Sequence, residues 1–446
     1  MFQTSRFDQH KRLFYLAIPM ILSNITVPLL GLVDTAVIGH LEHAYFLGGS
    51  TIGAMLVTSV VWLCGFLRMS TTGLSAQNLG QGNITNNLLI LLRGVCLAFL
   101  IGLFFILLQG PFLDIALSVA GGSEKVQFFA NQYAQIRIWG IPAALANLVI
   151  LGWLIGNQQS KAVMWLLIAT NAINICLDLL FVFVFHWQVQ GVAFASLLAE
   201  YSGMFIGLFL IIKRYQSVLS ELVKNLQQLI IQLFDKQVLK TYFQLNRDIL
   251  IRTLCLQVCF LFITFQGARL GDTVVAANAI LMNFLLLISF GLDGIANAAE
   301  AMVGKAHGEK NTKQLERTVR IALFWNLVFA GCYALMFAML GDKLLRLISD
   351  ISSVITFAEQ YINWMILLPL VSCWCFLYDG VYIGLMKAKI MRNSMIIATF
   401  CCFFPAWYLL QSFGNHGLWA AFSIFMLARG LTLAWHFHYY EKNSAL

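Results

Sequence analysis

Apolar residues in this chain come in long continuous runs separated by short polar stretches, with no sustained period-two alternation. A helix needs about 20 apolar residues to cross the hydrocarbon core of a bilayer. Membrane β-strands are short and alternate apolar with polar, which this chain does not do. The pattern predicts twelve spanning helices. Six lie in the first half, over 13–40, 46–68, 88–108, 126–155, 162–186 and 189–212. Six lie in the second, over 248–270, 273–302, 319–340, 356–385, 390–411 and 416–438. One connection is long. Across 213–247, Leu219, Leu222, Leu226, Ile230 and Leu233 recur at steps of three or four, and Lys224, Gln227, Gln228 and Lys236 fall mostly elsewhere on the wheel. This spacing predicts an amphipathic helix on the cytoplasmic membrane face, either a tether or a regulatory element. The chain thus divides into an N-terminal lobe (1–212), a connector (213–247) and a C-terminal lobe (248–446).

Composition agrees. Of 446 residues, 60% are hydrophobic and only 11% charged, against roughly a quarter charged in soluble proteins. A large soluble enzyme could not cover itself with so little polar surface. The 36 Phe and 11 Trp also exclude disorder. The first apolar run continues to Leu41, past the length of a signal-peptide core and without a small-residue cleavage pattern, so it reads as a retained span. Most of the ten cysteines sit inside apolar runs and Cys373 and Cys375 form only a CxC, so they read as small core residues rather than a disulfide framework.

The net charge of +8 is explained by topology, not by nucleic acid. With the N-terminus inside, 23 of the 28 Lys and Arg fall on the inner side. Only Lys125, Arg137, Arg269, Lys343 and Arg346 fall outside. This is the positive-inside distribution, and it predicts that both termini are cytoplasmic.

The halves repeat at an offset near 228. Gly152-Trp153-Leu154-Ile155-Gly156 matches Gly380-Val381-Tyr382-Ile383-Gly384, and Gly80-Gln81-Gly82-Asn83 matches Gly308-Glu309-Lys310-Asn311. Each glycine pair follows a proline, Pro142 or Pro369, and the Gly191 and Gly417 stretches open the sixth and twelfth helices. Single matches fit ordinary helix packing by small residues; several at one offset favour duplication. Six spans per repeat make the repeats parallel, as in carriers that work by rocking two lobes.

Acids at membrane depth are costly and mark function. Asp34 lies about 31 Å of helix from Leu13 and Asp178 about 24 Å from Ala162. Asn171, Asn174 and Asp178, spaced i, i+3, i+7, share one helix face. Ser196 lies near the outer end of the next helix, so these groups are expected to form one polar cluster in the first lobe. Burial in a low-dielectric medium favours the neutral acid, which suits a group that takes up and releases a proton. Amide and hydroxyl oxygens offer the alternative of helping to hold a sodium ion, and a static bonded network is the plain structural alternative. Pro19 and Pro28 remove two backbone donors from the first helix, giving either a hinge or a fixed kink. Glu200 is read as a second proton group or as the partner of a neighbouring polar residue, and Glu200 and Asn147 are the secondary site candidates. No deep acid of the second lobe aligns with Asp34 or Asp178, and Asp293 and Asp379 lie toward helix ends. No phosphate loop or metal-type histidine pair occurs in the sequence.

The stretches "PMILSNITVPLLGLVDTAVIGHL" (19–41), "LRMSTTGLSAQNLG" (67–80), "LANLVILGWLIG" (145–156), "LNRDILIRTL" (245–254), "EYSG" (200–203) and "MRNSM" (391–395) resemble the multidrug and toxic compound extrusion (MATE) transporters, particularly their DNA-damage-inducible-F (DinF) branch. The resemblance covers nearly the whole chain. It implies an all-α protein of twelve transmembrane helices in two pseudo-symmetric six-helix lobes. It also implies cation-coupled export, by H+ or Na+, of amphipathic and often cationic small molecules. The setting it implies is the bacterial inner membrane, with a monomer that needs no cofactor and no resident metal. It assigns coupling to Asp34, Asn174, Asp178 and Ser196, where relatives usually carry Thr at the last position, and bending of the first helix to Pro19. Two other readings stay open: a flippase for a lipid-linked precursor, which would need a basic central cavity, and a passive channel or membrane scaffold.

Overall fold

The computed structural model of the chain describes residues 6–39, 44–121, 123–224, 226–348 and 352–441. Residue 40, which ends the first predicted span, Leu41, to which the first apolar run continues, and Lys442 of the charge count lie outside the described residues. All regular structure among the described residues is helical. In chain order the helices are α1 (Arg6–Gly39), α2 (Ala44–Leu63), α3 (Phe66–Gln81), α4 (Ile84–Leu107), α5 (Gln109–Ala120), α6 (Glu124–Ile138), α7 (Ile141–Gly156), α8 (Ser160–Leu179), α9 (Gln188–Arg214), α10 (Gln216–Lys224), α11 (Leu226–Leu233), α12 (Lys236–Leu270), α13 (Asp272–Gly308), α14 (Thr312–Ile348), α15 (Ser352–Glu359), α16 (Ile362–Gly384), α17 (Ala388–Ile396), α18 (Phe404–Leu410) and α19 (Asn415–His436).

Eleven spans among the described residues are long and apolar enough to cross a membrane, and the pair α6–α7, bent by 54°, makes a twelfth. The chain is an all-α polytopic membrane protein of the twelve-span kind that its hydropathy predicts. Large apolar side chains such as Leu107, Phe209, Leu335 and Met339 stand exposed along these helices, where lipid rather than water suits them.

The structure adds detail that the apolar runs did not show. The predicted 126–155 helix is broken where Trp139 and Gly140 separate α6 from α7. Pro142 has no N–H to offer the preceding turn, so the helix cannot run straight through. The Tyr201 hydroxyl donates to the Trp139 carbonyl at the break, at 2.9 Å. The connector holds two short helices, α10 and α11, instead of one, and α12 begins at Lys236, well before residue 248. Asp235 explains that start: its carboxylate accepts from the N–H groups of Gln237 and Val238 at 2.9 and 3.0 Å, as a helix N-cap does. Both the fifth and the eleventh spans include a π-helical stretch, Leu180–Val184 and Ile397–Phe403.

The described chain forms two compact units. One is Leu22–Phe243; the other joins the residues up to Ile21 with those from Gln244 onward. Each is built around a densely buried helix, α7 in the first and α16 in the second. The same local solutions recur in both at an offset of 228. A Cβ on Gly152 would lie 2.4 Å from the Arg68 carbonyl oxygen; one on Gly380 would lie 2.6 Å from that of Ala296. A Cβ on Gly156 would meet the Thr72 carbonyl at 2.5 Å, and one on Gly384 that of Glu300 at 2.6 Å. Both Gly-x-x-x-Gly stripes therefore let a helix backbone approach α3 or α13 more closely than any side chain would allow. Turns repeat too. Gly82 and Lys310 adopt left-handed φ of 70° and 54°. The next residue caps the following helix in each case: Asn83 accepts from Asn86 N–H at 2.9 Å and Asn311 from Gln314 N–H at 3.0 Å. Lys310 bears a conformation that Gly82 adopts without strain, so register, not residue preference, places it there.

These contacts carry a first prediction. Gly152→Ala and Gly380→Ala should each destabilise the purified protein by about 1–3 kcal/mol, the usual cost of overpacking. Gly331→Ala, where an added Cβ has nothing within 4 Å, should change little. Thermal unfolding in detergent compares the three; equal melting for all of them would remove the packing role of the stripe.

Candidate functional site

The polar residues at membrane depth gather in the unit Leu22–Phe243. Asp34 comes from α1; Asn171, Asn174 and Asp178 from α8; Ser196 and Glu200 from α9. The α8 residues share a face because a helix returns nearly to the same azimuth after seven residues. Asp178 is fully buried, and Asn174 and Ser196 nearly so. Asp34 is half-buried. The Asp34 and Asp178 carboxyl groups lie within side-chain hydrogen-bonding reach of each other. The Asn174 amide donates to Ser196 Oγ at 3.4 Å. Asn171 points to α1, donating to Thr26 Oγ1 at 3.1 Å.

Two residues join this cluster that the sequence reading did not single out. Arg137 of α6 faces both carboxyl groups electrostatically, and Tyr133, one turn earlier, is buried with its hydroxyl at Ser196. The positive-inside distribution places Arg137 among the outer-side cations. The i, i+4 spacing of Tyr133 and Arg137 was a signal for one shared face, but nothing in the sequence tied that face to α8. An apolar cluster of Val37, Ile38, Phe46, Val182, Val189 and Val192 packs around Tyr133 and shields that flank of the site.

Four oxygens in the cluster are buried and accept no hydrogen bond from the described residues: Asp34 Oδ1, Asn174 Oδ1 and both Asp178 carboxylate oxygens. A buried acceptor without a donor is expensive. Two facing carboxylates can bond each other only through a proton that one of them carries. Chemically, such a set of oxygens can take a proton between the acids or a small hard cation among them.

Glu200 stands apart from this set. Asn147 of α7 donates to its carboxylate at 2.9 Å and to its backbone carbonyl at 2.8 Å. Of the first-helix prolines, Pro19 is buried and Pro28 exposed, and α1 is helical through both. The chain passes from one compact unit to the other between Ile21 and Leu22, two residues after Pro19.

The acids of the other unit are engaged differently. Asp379 Oδ2 accepts from Nη2 of Arg252 and, at 2.6 Å, from Nη2 of Arg429. All three side chains are buried. Asp248 accepts from Arg392 at 2.8 Å and from Arg247 at 3.1 Å. Asp293 and Glu300 also have partners within the protein.

The fold and the site together define a polytopic helical membrane protein with a buried acid pair at membrane depth. The comparisons specify which. The MatE family model matches residues 19–180 and 249–409, two stretches of nearly equal length set apart by about the repeat offset. The chain is 41% identical to DNA damage-inducible protein F of Escherichia coli, over 96% of this chain and 92% of that protein. It is 20% identical to the probable multidrug resistance protein NorM of Oceanobacillus iheyensis, over the full length of both. Solved structures of MATE in the straight and in the bent conformation share its fold. Each has a TM-score of 0.85, at 18% and 17% identity, and they cover 98% and 99% of this chain and 97% of each of theirs. The chain belongs to the MatE family of multidrug efflux transporters, in its DinF branch.

Proposed function

We propose that this protein is a proton-coupled antiporter that exports amphipathic, often cationic, compounds by alternating access. The Asp34–Asp178 carboxyl contact carries the reading. Like charges this close cannot both ionise without a large penalty, so the pair holds a shared proton in one state and loses it in another. Loss of that proton leaves two carboxylates to repel each other beside Arg137, and α1 is the element free to respond. Pro19, lacking a backbone donor, and the exposed Pro28 give α1 the weak points at which it bends. Solved MATE structures in a straight and in a bent conformation support two shapes for this fold. Asn174 and Ser196 hold the α8 and α9 faces in register, Asn171 ties α8 to Thr26, and Glu200 with Asn147 forms a secondary polar pair. Asp379, committed to two arginines, serves packing in this reading and carries no coupling ion.

A sodium-coupled reading has one observation in its favour, the four donor-free oxygens of the same cluster. Proteoliposomes loaded with a cationic dye distinguish the two. A proton gradient alone should drive extrusion and a sodium gradient alone should not. The converse would transfer the role to sodium, and extrusion under neither would reject coupled export.

A further inference from the structure

A groove of about 660 Å³ lies in the unit that carries the C-terminal half of the chain. It is lined by His10 of α1 and by Lys313, Glu316, Arg317, Arg320 and Phe324 of α14. Lys313, Arg317, Arg320 and Phe324 follow one another at steps of four, three and four residues, so they stand on one helix face. Lys313 and Arg320 are exposed, and Arg317 is half-buried and also engaged within the protein. Among the residues that line the groove, three are cations and one, Glu316, is a carboxylate. Beyond Arg320 the same face turns apolar and stays exposed: Phe324 is 55% exposed, Leu335 61% and Met339 71%. Beside the groove, α1 and α14 are in contact. Trp325 Nε1 donates to His10 Nδ1 at 2.9 Å, and Phe14 packs edge-on against Trp325 with ring centroids 4.5 Å apart.

One helix face thus passes from three cations to an exposed aromatic over about 16 Å and continues as an apolar track. A free phosphate ion would use the cations and nothing else. A phospholipid with an anionic headgroup uses the whole face, with its phosphate against Lys313, Arg317 and Arg320 and an acyl chain along Phe324 and Leu335. The positive-inside distribution of the sequence assigns this end of α14 to the cytoplasmic leaflet, where basic pockets beside spanning helices hold acidic headgroups. We propose that this face is a binding site for an anionic glycerophospholipid. The inference stands apart from the ion-coupling reading, since none of these residues belongs to the Asp34–Asp178 cluster.

Native mass spectrometry of the full-length protein, titrated with phosphatidylglycerol or with phosphatidylcholine of the same chains, tests it. The protein should retain phosphatidylglycerol in clear preference to phosphatidylcholine. Lys313→Gln/Arg317→Gln/Arg320→Gln should weaken phosphatidylglycerol retention on the order of 100-fold, each juxtamembrane cation being worth about fivefold. Lys313→Gln/Arg320→Gln, which changes only exposed side chains, should weaken it about 25-fold even if the triple variant fails to fold. Phosphatidylcholine retention should be the same in all three proteins. Equal phosphatidylglycerol retention by parent and double variant would overturn the site. So would displacement of the lipid by inorganic phosphate at equal concentration, which would make it a site for a free anion.

Discussion

Asp34→Asn is expected to reduce proton-driven export to the level of empty vesicles while leaving a folded protein in the membrane. The substitution keeps the shape of the side chain and replaces one acceptor by an amide that donates at every pH. That amide would satisfy a carboxylate oxygen of Asp178, which now has no donor, and so hold permanently the arrangement that, in the proposed mechanism, a proton holds transiently. Asp178→Asn should fail in the same way, since it offers Asp34 a constant donor from the opposite side. Because a buried, unsatisfied acceptor costs about 1–3 kcal/mol, both variants should melt no lower than the parent, and somewhat higher if the new bond forms. Loss of activity with unchanged or raised stability is the pattern of a site that stores strain for function. Dye efflux from proteoliposomes under an imposed pH gradient, beside thermal unfolding, reads both quantities. Undiminished export by either variant would end the case for the pair as the proton carrier.

How much of this was legible in the sequence depends on the scale. The spans were legible because a bilayer demands long apolar runs, and the duplication because tight packing demands glycine at fixed places. Gly152, Gly156, Gly380 and Gly384 are visible as letters and meet backbone as atoms. The 54° break before α7 was signalled by Pro142 but hidden inside one continuous apolar run. The start of α12 at Lys236 was signalled by Asp235, yet the long connector drew attention to its periodicity instead.

Within the candidate site, residues on one helix were grouped by arithmetic, because seven residues make nearly two turns. That Asn174 meets Ser196, and Asp34 meets Asp178, depends on how α1, α8 and α9 cross, which no spacing states. Arg137 shows the limit most clearly. A cation in the last turn of a helix reads as a loop charge, yet Arg137 of α6 faces the two acids. Arg252 and Arg429 read as inner-side cations, and their burial on a single carboxylate is a contact that no spacing states.

That carboxylate supports the other large expected effect. Asp379→Asn should destabilise the protein by about 3–5 kcal/mol, because it leaves Arg252 and Arg429 buried without their shared counter-ion. Both guanidinium groups already have an Nε atom without an acceptor among the described residues, so little remains to compensate them. The cost belongs to the orphaned charges rather than to the ion pairs, and this can be separated experimentally. Arg252→Met/Asp379→Leu/Arg429→Met removes all three charges and conserves much of the volume. It should recover most or all of the lost stability, as replacing a whole buried charge cluster by packed apolar groups commonly does. Unfolding in detergent would show Asp379→Asn melting well below both the parent and the triple variant. Proton-driven efflux by the triple variant then decides the role of the acid. Retained efflux assigns the Asp379 cluster to architecture, whereas a stable triple variant with no efflux would make Asp379 a coupling residue and place ion movement in both halves of the chain.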